Sequence, residues 1–201
     1  MFYVEGYSLD EFCKGNINIK PVNTPNKIGI IFDKSIPEDV LNVHINTMNA
    51  VRVVYGVDVT DYEITQESMG IEFILNSNGV STGNVKNPET ILKSARKLLN
   101  KGCQAIAIVG MFEDPEDINT DYANGQGTDP VGGVEAIISH YISRELKVPC
   151  AHSPAFSDID ISLKIENPKV SSELISSTYL PCIMQGLSIA PKIHKANIGT
   201  I

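Results

Sequence analysis

Short apolar runs alternate with helix-like segments three times along this chain, and this alternation is the strongest constraint on its fold. The alternating stretches span residues 27–55, 87–109 and 130–152. The first opens with a continuous apolar run at 27–33, as expected for a strand buried on both faces. The pattern predicts an α/β domain with a mostly parallel sheet flanked by helices. Residues 57–85 predict an antiparallel addition to that sheet.

Capping signals predict where the helices begin. Ser35, Asn87 and Asp129 each precede a helix-like segment with a proline close behind, and each is a predicted N-cap. The three helices are predicted to end near residues 55, 102 and 146. A strand at 148–152 is predicted to break at Ser153 and Pro154. Residues 179–187 are predicted to form a last strand.

Composition narrows the functional classes. The chain has 201 residues, 42% of them hydrophobic, which predicts one globular domain over residues 1–201. A net charge of −8 without a basic cluster argues against nucleic acid as the main partner. No apolar run approaches the roughly 20 residues of a membrane span, and the first residues do not resemble a secretion signal. We therefore expect a cytoplasmic protein without a membrane partner.

The four cysteines are widely spaced, which predicts reduced thiols. No pattern identifies a cofactor or a metal set. A homo-oligomer is left open.

A glycine-rich segment leads into the third helix and is the first candidate site. Four glycines surround Asp129, namely Gly125, Gly127, Gly132 and Gly133. Helix N-termini present free N–H groups, and glycines let an anion approach them closely. The spacing matches neither a P-loop nor a dinucleotide fingerprint. We therefore expect these five residues to bind a small anionic metabolite. The alternative is that the glycines serve tight helix packing.

The helix that follows carries further candidates. His140 and Arg144 share a helix face with Gly132 and Ala136, so this face could line a pocket. The alternative is an ordinary solvated face. Glu135, in the first turn, is a candidate for acid–base chemistry or for holding the loop.

Cys150 and His152 lie two residues apart on a predicted strand, so their side chains share one face. We expect this pair at the carboxyl end of the strand, where α/β sheets bind ligands. Three roles remain open: thiolate–imidazole chemistry, metal ligation with Cys182 or His140, and simple packing. The candidate catalytic residues are thus Glu135, His140, Cys150 and His152, and Arg144 joins the ligand-binding group.

Several long motifs resemble a family of cyanobacteria and plastid-bearing eukaryotes catalogued as domain of unknown function 3326. The matching stretches include Gly125-Gln126-Gly127-Thr128-Asp129-Pro130 and Val148-Pro149-Cys150-Ala151-His152, together with residues 3–10, 61–62, 133–140, 154–155 and 180–182. Members of that family are longer, with an upstream glycine-rich segment, so the resemblance implies that residues 1–201 are the C-terminal part of a longer domain. It implies no particular activity. Our working hypothesis from the residues is an enzyme domain acting on a small anionic metabolite, and the alternative is a non-catalytic binding or regulatory module.

Overall fold

The computed structural model describes residues 3–112, 129–155, 165 and 180–196. Five helices and eight strands lie in these ranges. In chain order they are α1 (Gly6–Cys13), β1 (Ile17–Lys20), β2 (Ile28–Phe32), α2 (Glu38–Tyr55), β3 (Val59–Ile64), β4 (Ile71–Leu75), β5 (Ser81–Val85), α3 (Pro88–Asn100), β6 (Ala105–Gly110), α4 (Gly132–Leu146), β7 (Cys150–Pro154), α5 (Leu180–Ser188) and β8 (Lys192–Lys195).

A four-stranded parallel sheet in the order β3-β2-β6-β7 forms the centre of the molecule. This arrangement confirms the predicted α/β fold. The antiparallel part is the β4–β5 hairpin, in which Ile71 pairs with Val85. β3 instead joins the main sheet in parallel, because α2 carries the chain back to the start of the sheet before β3 begins. A second antiparallel pair joins β1 to β8.

Helices cover both faces of the sheet. α2 and α5 pack on the face that buries Ile30 and Phe32 of β2, while α3 and α4 pack on the face that buries Ile31. Every residue of β2 and β6 is buried. Burial on both faces explains why these two strands are continuous apolar runs rather than alternating ones. No helix within the described ranges is long and apolar enough to cross a bilayer.

The predicted last strand is wrong, because residues 180–188 form helix α5. Its buried residues Leu180, Ile183, Met184 and Leu187 recur with helical spacing, and Pro181 lies in the first turn, where a missing N–H is tolerated. A short apolar run alone does not distinguish a strand from a buried helix.

The predicted break at Ser153 and Pro154 is also wrong, since both residues belong to β7. β7 lies at one end of the sheet order, and a proline is tolerated on an edge strand.

Two of the three predicted N-caps are displaced. α2 follows Pro37 rather than Ser35, and α4 follows Val131 rather than Asp129. Ser35 instead donates its backbone N–H to the Asp33 carboxylate at 3.1 Å, in a turn ahead of the helix. The same carboxylate oxygen accepts the N–H of Met69 at 3.0 Å, and this contact ties the start of the hairpin to the end of β2. Asn87 does precede α3, without a capping hydrogen bond from its side chain.

Candidate functional site

The start of α4 is capped by groups of the protein itself. The N–H of Gly133 donates to the Ser81 hydroxyl at 2.9 Å, and that hydroxyl donates to the Pro130 carbonyl at 2.7 Å. The N–H of Val131 donates to an Asp129 carboxylate oxygen at 3.0 Å. Two of the N–H groups available to an anion at this helix start are therefore already bonded.

Gly133 also has a packing role. A side-chain carbon added at this residue would lie 2.2 Å from the Ser81 carbonyl oxygen, so glycine lets the hairpin reach the helix. Gly132 sits beside the Asp129 carboxylate. Gly125 and Gly127 lie outside the described residues. The geometry supports the packing role that the sequence left open, and ligand binding by these residues stays a prediction.

Three side chains from α4 and β7 meet beneath the helix, and we refer to Glu135, Ser139 and His152 as the acid–base cluster. The Ser139 hydroxyl oxygen lies 3.0 Å from Nδ1 of His152. Nε2 of the same ring lies 4.0 Å from Oε2 of Glu135. Glu135 and Ser139 are one helical turn apart, so both face β7. The structure thus brings together two of the four candidate catalytic residues and adds a serine.

Burial reverses the ordinary ionisation of this pair. Burial, with a smaller contribution from the negative charge of Asp129, raises the pKa of Glu135 from 4.5 to about 8. Burial lowers the pKa of His152 from 6.5 to about 4. At neutral pH the carboxyl group is mostly protonated and the imidazole is neutral, so a proton donor faces a proton acceptor. Pairs of groups whose pKa values are shifted in this way are typical of acid–base sites.

One oxygen of the buried Glu135 carboxyl group has no hydrogen-bond partner among the described residues. The residue is 3% exposed, and the unbonded atom is Oε1. The 4.0 Å between Oε2 and the imidazole is too long for a direct hydrogen bond. One polar atom placed at about 2.8 Å from both groups would bridge them. His152 is 27% exposed, so its ring forms the accessible part of the cluster.

Cys150 does not belong to this cluster. It is the first residue of β7 and is fully buried, so the predicted position at the carboxyl end of the strand is wrong. Burial, with the nearby Glu5 charge, raises the pKa of its thiol well above the usual range. A neutral, inaccessible thiol is a poor nucleophile. Cys150 therefore packs in the core, which is the third of the roles left open.

His140 and Arg144 lie on another face of α4. Together with Ala136 they line a groove of about 550 Å³ between α4 and β5. Nδ1 of His140 lies 2.9 Å from Oε1 of Glu5, the residue that caps α1. The candidate site residues are therefore divided between a buried cluster and a surface groove.

Metal ligation finds no support among the described residues, which contain no group of three His, Cys, Asp or Glu side chains arranged to hold an ion.

Two residues at these sites, Ser139 and Glu5, were not predicted from the sequence. Ser139 follows Glu135 by four positions, so helical spacing could have indicated it. Glu5 carries no comparable signal, because its contact with His140 depends on the docking of α1 against α4.

The family of proteins of unknown function DUF3326 has a model that matches residues 1–200. This chain belongs to that family. A relative in Synechococcus sp., an uncharacterised lipoprotein by name, is 39% identical over 196 residues. The match covers 96% of this chain and 54% of the relative, so the chain spans about half the length of that protein. No solved structure matches this DUF3326 chain significantly.

Proposed function

We propose that this DUF3326 protein is an enzyme that transfers protons on a small molecule, with His152 as the base and Glu135 as the acid. One observation carries the proposal: a buried carboxyl group, with one oxygen unpartnered among the described residues, lies 4.0 Å from an imidazole nitrogen, and burial favours the neutral form of both groups. Buried polar atoms in proteins are nearly always hydrogen-bonded, so an orphaned carboxyl oxygen calls for a partner. A substrate that occupies the site supplies one.

Ser139 sets the direction of proton transfer. Its hydroxyl lies 3.3 Å from the Ala136 carbonyl, to which it can donate. The hydroxyl oxygen then accepts a hydrogen bond from the Nδ1–H of His152, and in this tautomer Nε2 carries no proton and faces Glu135. A substrate atom between the two groups gives its proton to Nε2 while the Glu135 carboxyl group donates one to a neighbouring atom. The pair ends with the same number of protons, as an isomerisation or a reversible proton abstraction requires.

Serine, histidine and glutamate also form hydrolase triads, but this cluster does not have that geometry. In a triad an ionised carboxylate holds the histidine, and the serine hydroxyl is open to substrate. Here Ser139 is 1% exposed, and the Glu135 carboxyl group is mostly protonated at neutral pH. Ser139 is therefore a positioning residue and not a nucleophile.

The proposed substrate is a small anionic metabolite, as the sequence led us to expect. The alternative function is a non-catalytic binding or regulatory module that uses the same cluster to hold a ligand without turnover.

A cytoplasmic location stays a prediction, since the Synechococcus relative is named a lipoprotein. Cell fractionation measures the location of the protein directly.

Proton transfer is tested by hydrogen–deuterium exchange. Pools of carboxylic acids, phosphate esters and neutral metabolites are incubated with the protein in D₂O, and loss of carbon-bound protons is followed by NMR. We expect exchange in an anionic pool, with a loss of about 100-fold or more in His152→Asn and Glu135→Gln.

The matched controls are His194→Asn and Glu145→Gln, which alter an exposed histidine on β8 and a solvent-accessible glutamate on α4. Both controls should retain full exchange. Exchange rates in His152→Asn and Glu135→Gln equal to the wild-type rate would contradict the proposal. Thermal stabilisation by a pool without exchange or turnover would favour the binding module.

A further inference from the structure

The groove between α4 and β5 is a cavity with the dimensions of a ligand site. Its volume of about 550 Å³ lies within the range of small-molecule pockets. Val85, Pro88 and Ile91 contribute apolar surface on one side, and Ile137 and Ile138 do so on the α4 side. It is separate from the acid–base cluster, whose side chains face β7 from another face of the same helix.

Two half-exposed basic side chains, Arg144 and His140, border this apolar surface, and each contacts a neighbouring glutamate. The Arg144 guanidinium lies 5.8 Å from the centre of the Tyr141 ring, and its Nε donates to Glu145 at 3.1 Å. The Tyr141 hydroxyl donates to Glu89 at 3.2 Å, which holds the ring in turn. A guanidinium bound through Nε keeps its terminal nitrogens for a second, planar acceptor.

His140 is held as firmly as Arg144. Its ring lies 2.9 Å from the Glu5 carboxylate through Nδ1 and packs edge-on against Tyr7 at 5.5 Å between ring centres. Because Glu5 occupies Nδ1, only the remainder of this half-exposed ring can face the groove. Ala136 lies one turn before His140 on the same helix face, and its small side chain leaves that part of the groove open.

We propose that this groove binds a small molecule with an apolar body and one carboxylate. The apolar body lies against Ile137 and Pro88, and the carboxylate accepts hydrogen bonds from the terminal nitrogens of Arg144. Apolar lining with one well-placed cation is typical of such sites. Glu89 and Glu145 at the rim disfavour a ligand that carries several negative charges, because each further charge would be repelled.

The test compares two probes that differ in charge. Phenylacetate and 2-phenylethanol are titrated into ¹⁵N-labelled protein, and amide shifts in α4 and β5 are followed by NMR. We expect phenylacetate to shift these resonances and to bind about tenfold more weakly to Arg144→Gln, while the alcohol binds weakly to both proteins. Ala136→Phe, at an exposed helix position, should abolish phenylacetate binding by filling the groove.

Two control variants distinguish binding in the groove from binding elsewhere on the protein. Arg52→Gln removes an exposed arginine from α2 and should leave binding unchanged, as should His194→Asn at an exposed position of β8. Equal binding of the two probes, no shift with either, or an equal loss in Arg52→Gln would overturn the proposal. A concentration-dependent dimer that Ala136→Phe disrupts would also overturn it, because the groove would then be an interface between copies of the chain.

Discussion

Replacing Glu135 by glutamine should change how the stability of this protein depends on pH. Glutamine keeps the shape of the protonated side chain but never ionises. In the folded protein the Glu135 carboxyl group has a pKa of about 8, against the ordinary 4.5 expected when the chain unfolds. A raised carboxyl pKa means that the folded state holds its proton while the unfolded state releases it. Stability therefore falls as the pH rises from about 4.5 to about 8.

The size of the effect follows from the pKa difference. Each pKa unit corresponds to about 1.4 kcal/mol, so the penalty approaches 5 kcal/mol above pH 8 and is about 1 kcal/mol at pH 5. His152 acts in the opposite sense, because its lowered pKa of about 4 makes stability rise between pH 4 and its ordinary value of 6.5. The two slopes cancel between about pH 4.5 and 6.5, so the wild-type decline should be visible mainly from pH 6.5 to 8.

The assay is urea unfolding followed by circular dichroism at pH 5, 6, 7 and 8 and constant ionic strength. Relative to wild type, Glu135→Gln should gain on the order of 3 kcal/mol of unfolding free energy between pH 5 and pH 8. Glu145→Gln, at a solvent-accessible position on the same helix, is the matched control and should show no such trend. A difference between Glu135→Gln and wild type that stays constant across this pH range would refute the reasoning, because Glu135 would then titrate normally in the folded protein.

Two further predictions concern the helix start and the buried thiol. Gly133→Ala should lower the unfolding free energy by about 1–3 kcal/mol, because the added carbon would lie 2.2 Å from the Ser81 carbonyl oxygen. Gly132→Ala is the control and should lower the unfolding free energy less in the same denaturation assay, because its added carbon has its nearest neighbour at 3.1 Å. Cys13 is exposed and should react with a thiol reagent in the native protein, while Cys150 should be labelled only after unfolding. Mass spectrometry distinguishes the two labelled cysteines. Rapid labelling of Cys150 in the native protein would contradict its placement in the core.

The sequence was sufficient for the two inner strands of the central sheet, β2 and β6, because their signals are local. A few residues are enough to predict these elements. Continuous apolar runs indicate β2 and β6, and a proline indicates the start of α3. Helix α5 was predicted to be a strand because a short apolar run fits both the spacing of a buried strand and that of a buried helix. Which strand β3 would join depends on contacts between distant segments, and a local pattern does not contain that information.

The difference between local and long-range information also explains which parts of the candidate site could be predicted. Glu135 and His152 were both identified as chemical residues, but the sequence did not show that they would meet without Cys150 beside them. Their contact depends on the rotation of α4 over β7. Cys150 shares a strand face with His152, yet it lies at the opposite end of β7 from the edge where ligands bind in such sheets.

A comparison of two buried glutamates shows why we propose a functional rather than a structural role for the Glu135 carboxyl group. Glu5 is as deeply buried as Glu135, but its carboxylate accepts the Tyr7 N–H at 2.8 Å and lies 2.9 Å from His140, so it caps α1 and fastens that helix to α4. Within the described part of the chain, Glu135 has no such side-chain bond: its Oε1 is unpartnered, and its Oε2 lies 4.0 Å from an imidazole. Its burial therefore lowers stability at neutral pH with no compensating contact from those residues. A residue that weakens the fold and is held beside a neutral base is best explained by what it binds, because strain of this kind collects at sites of chemistry.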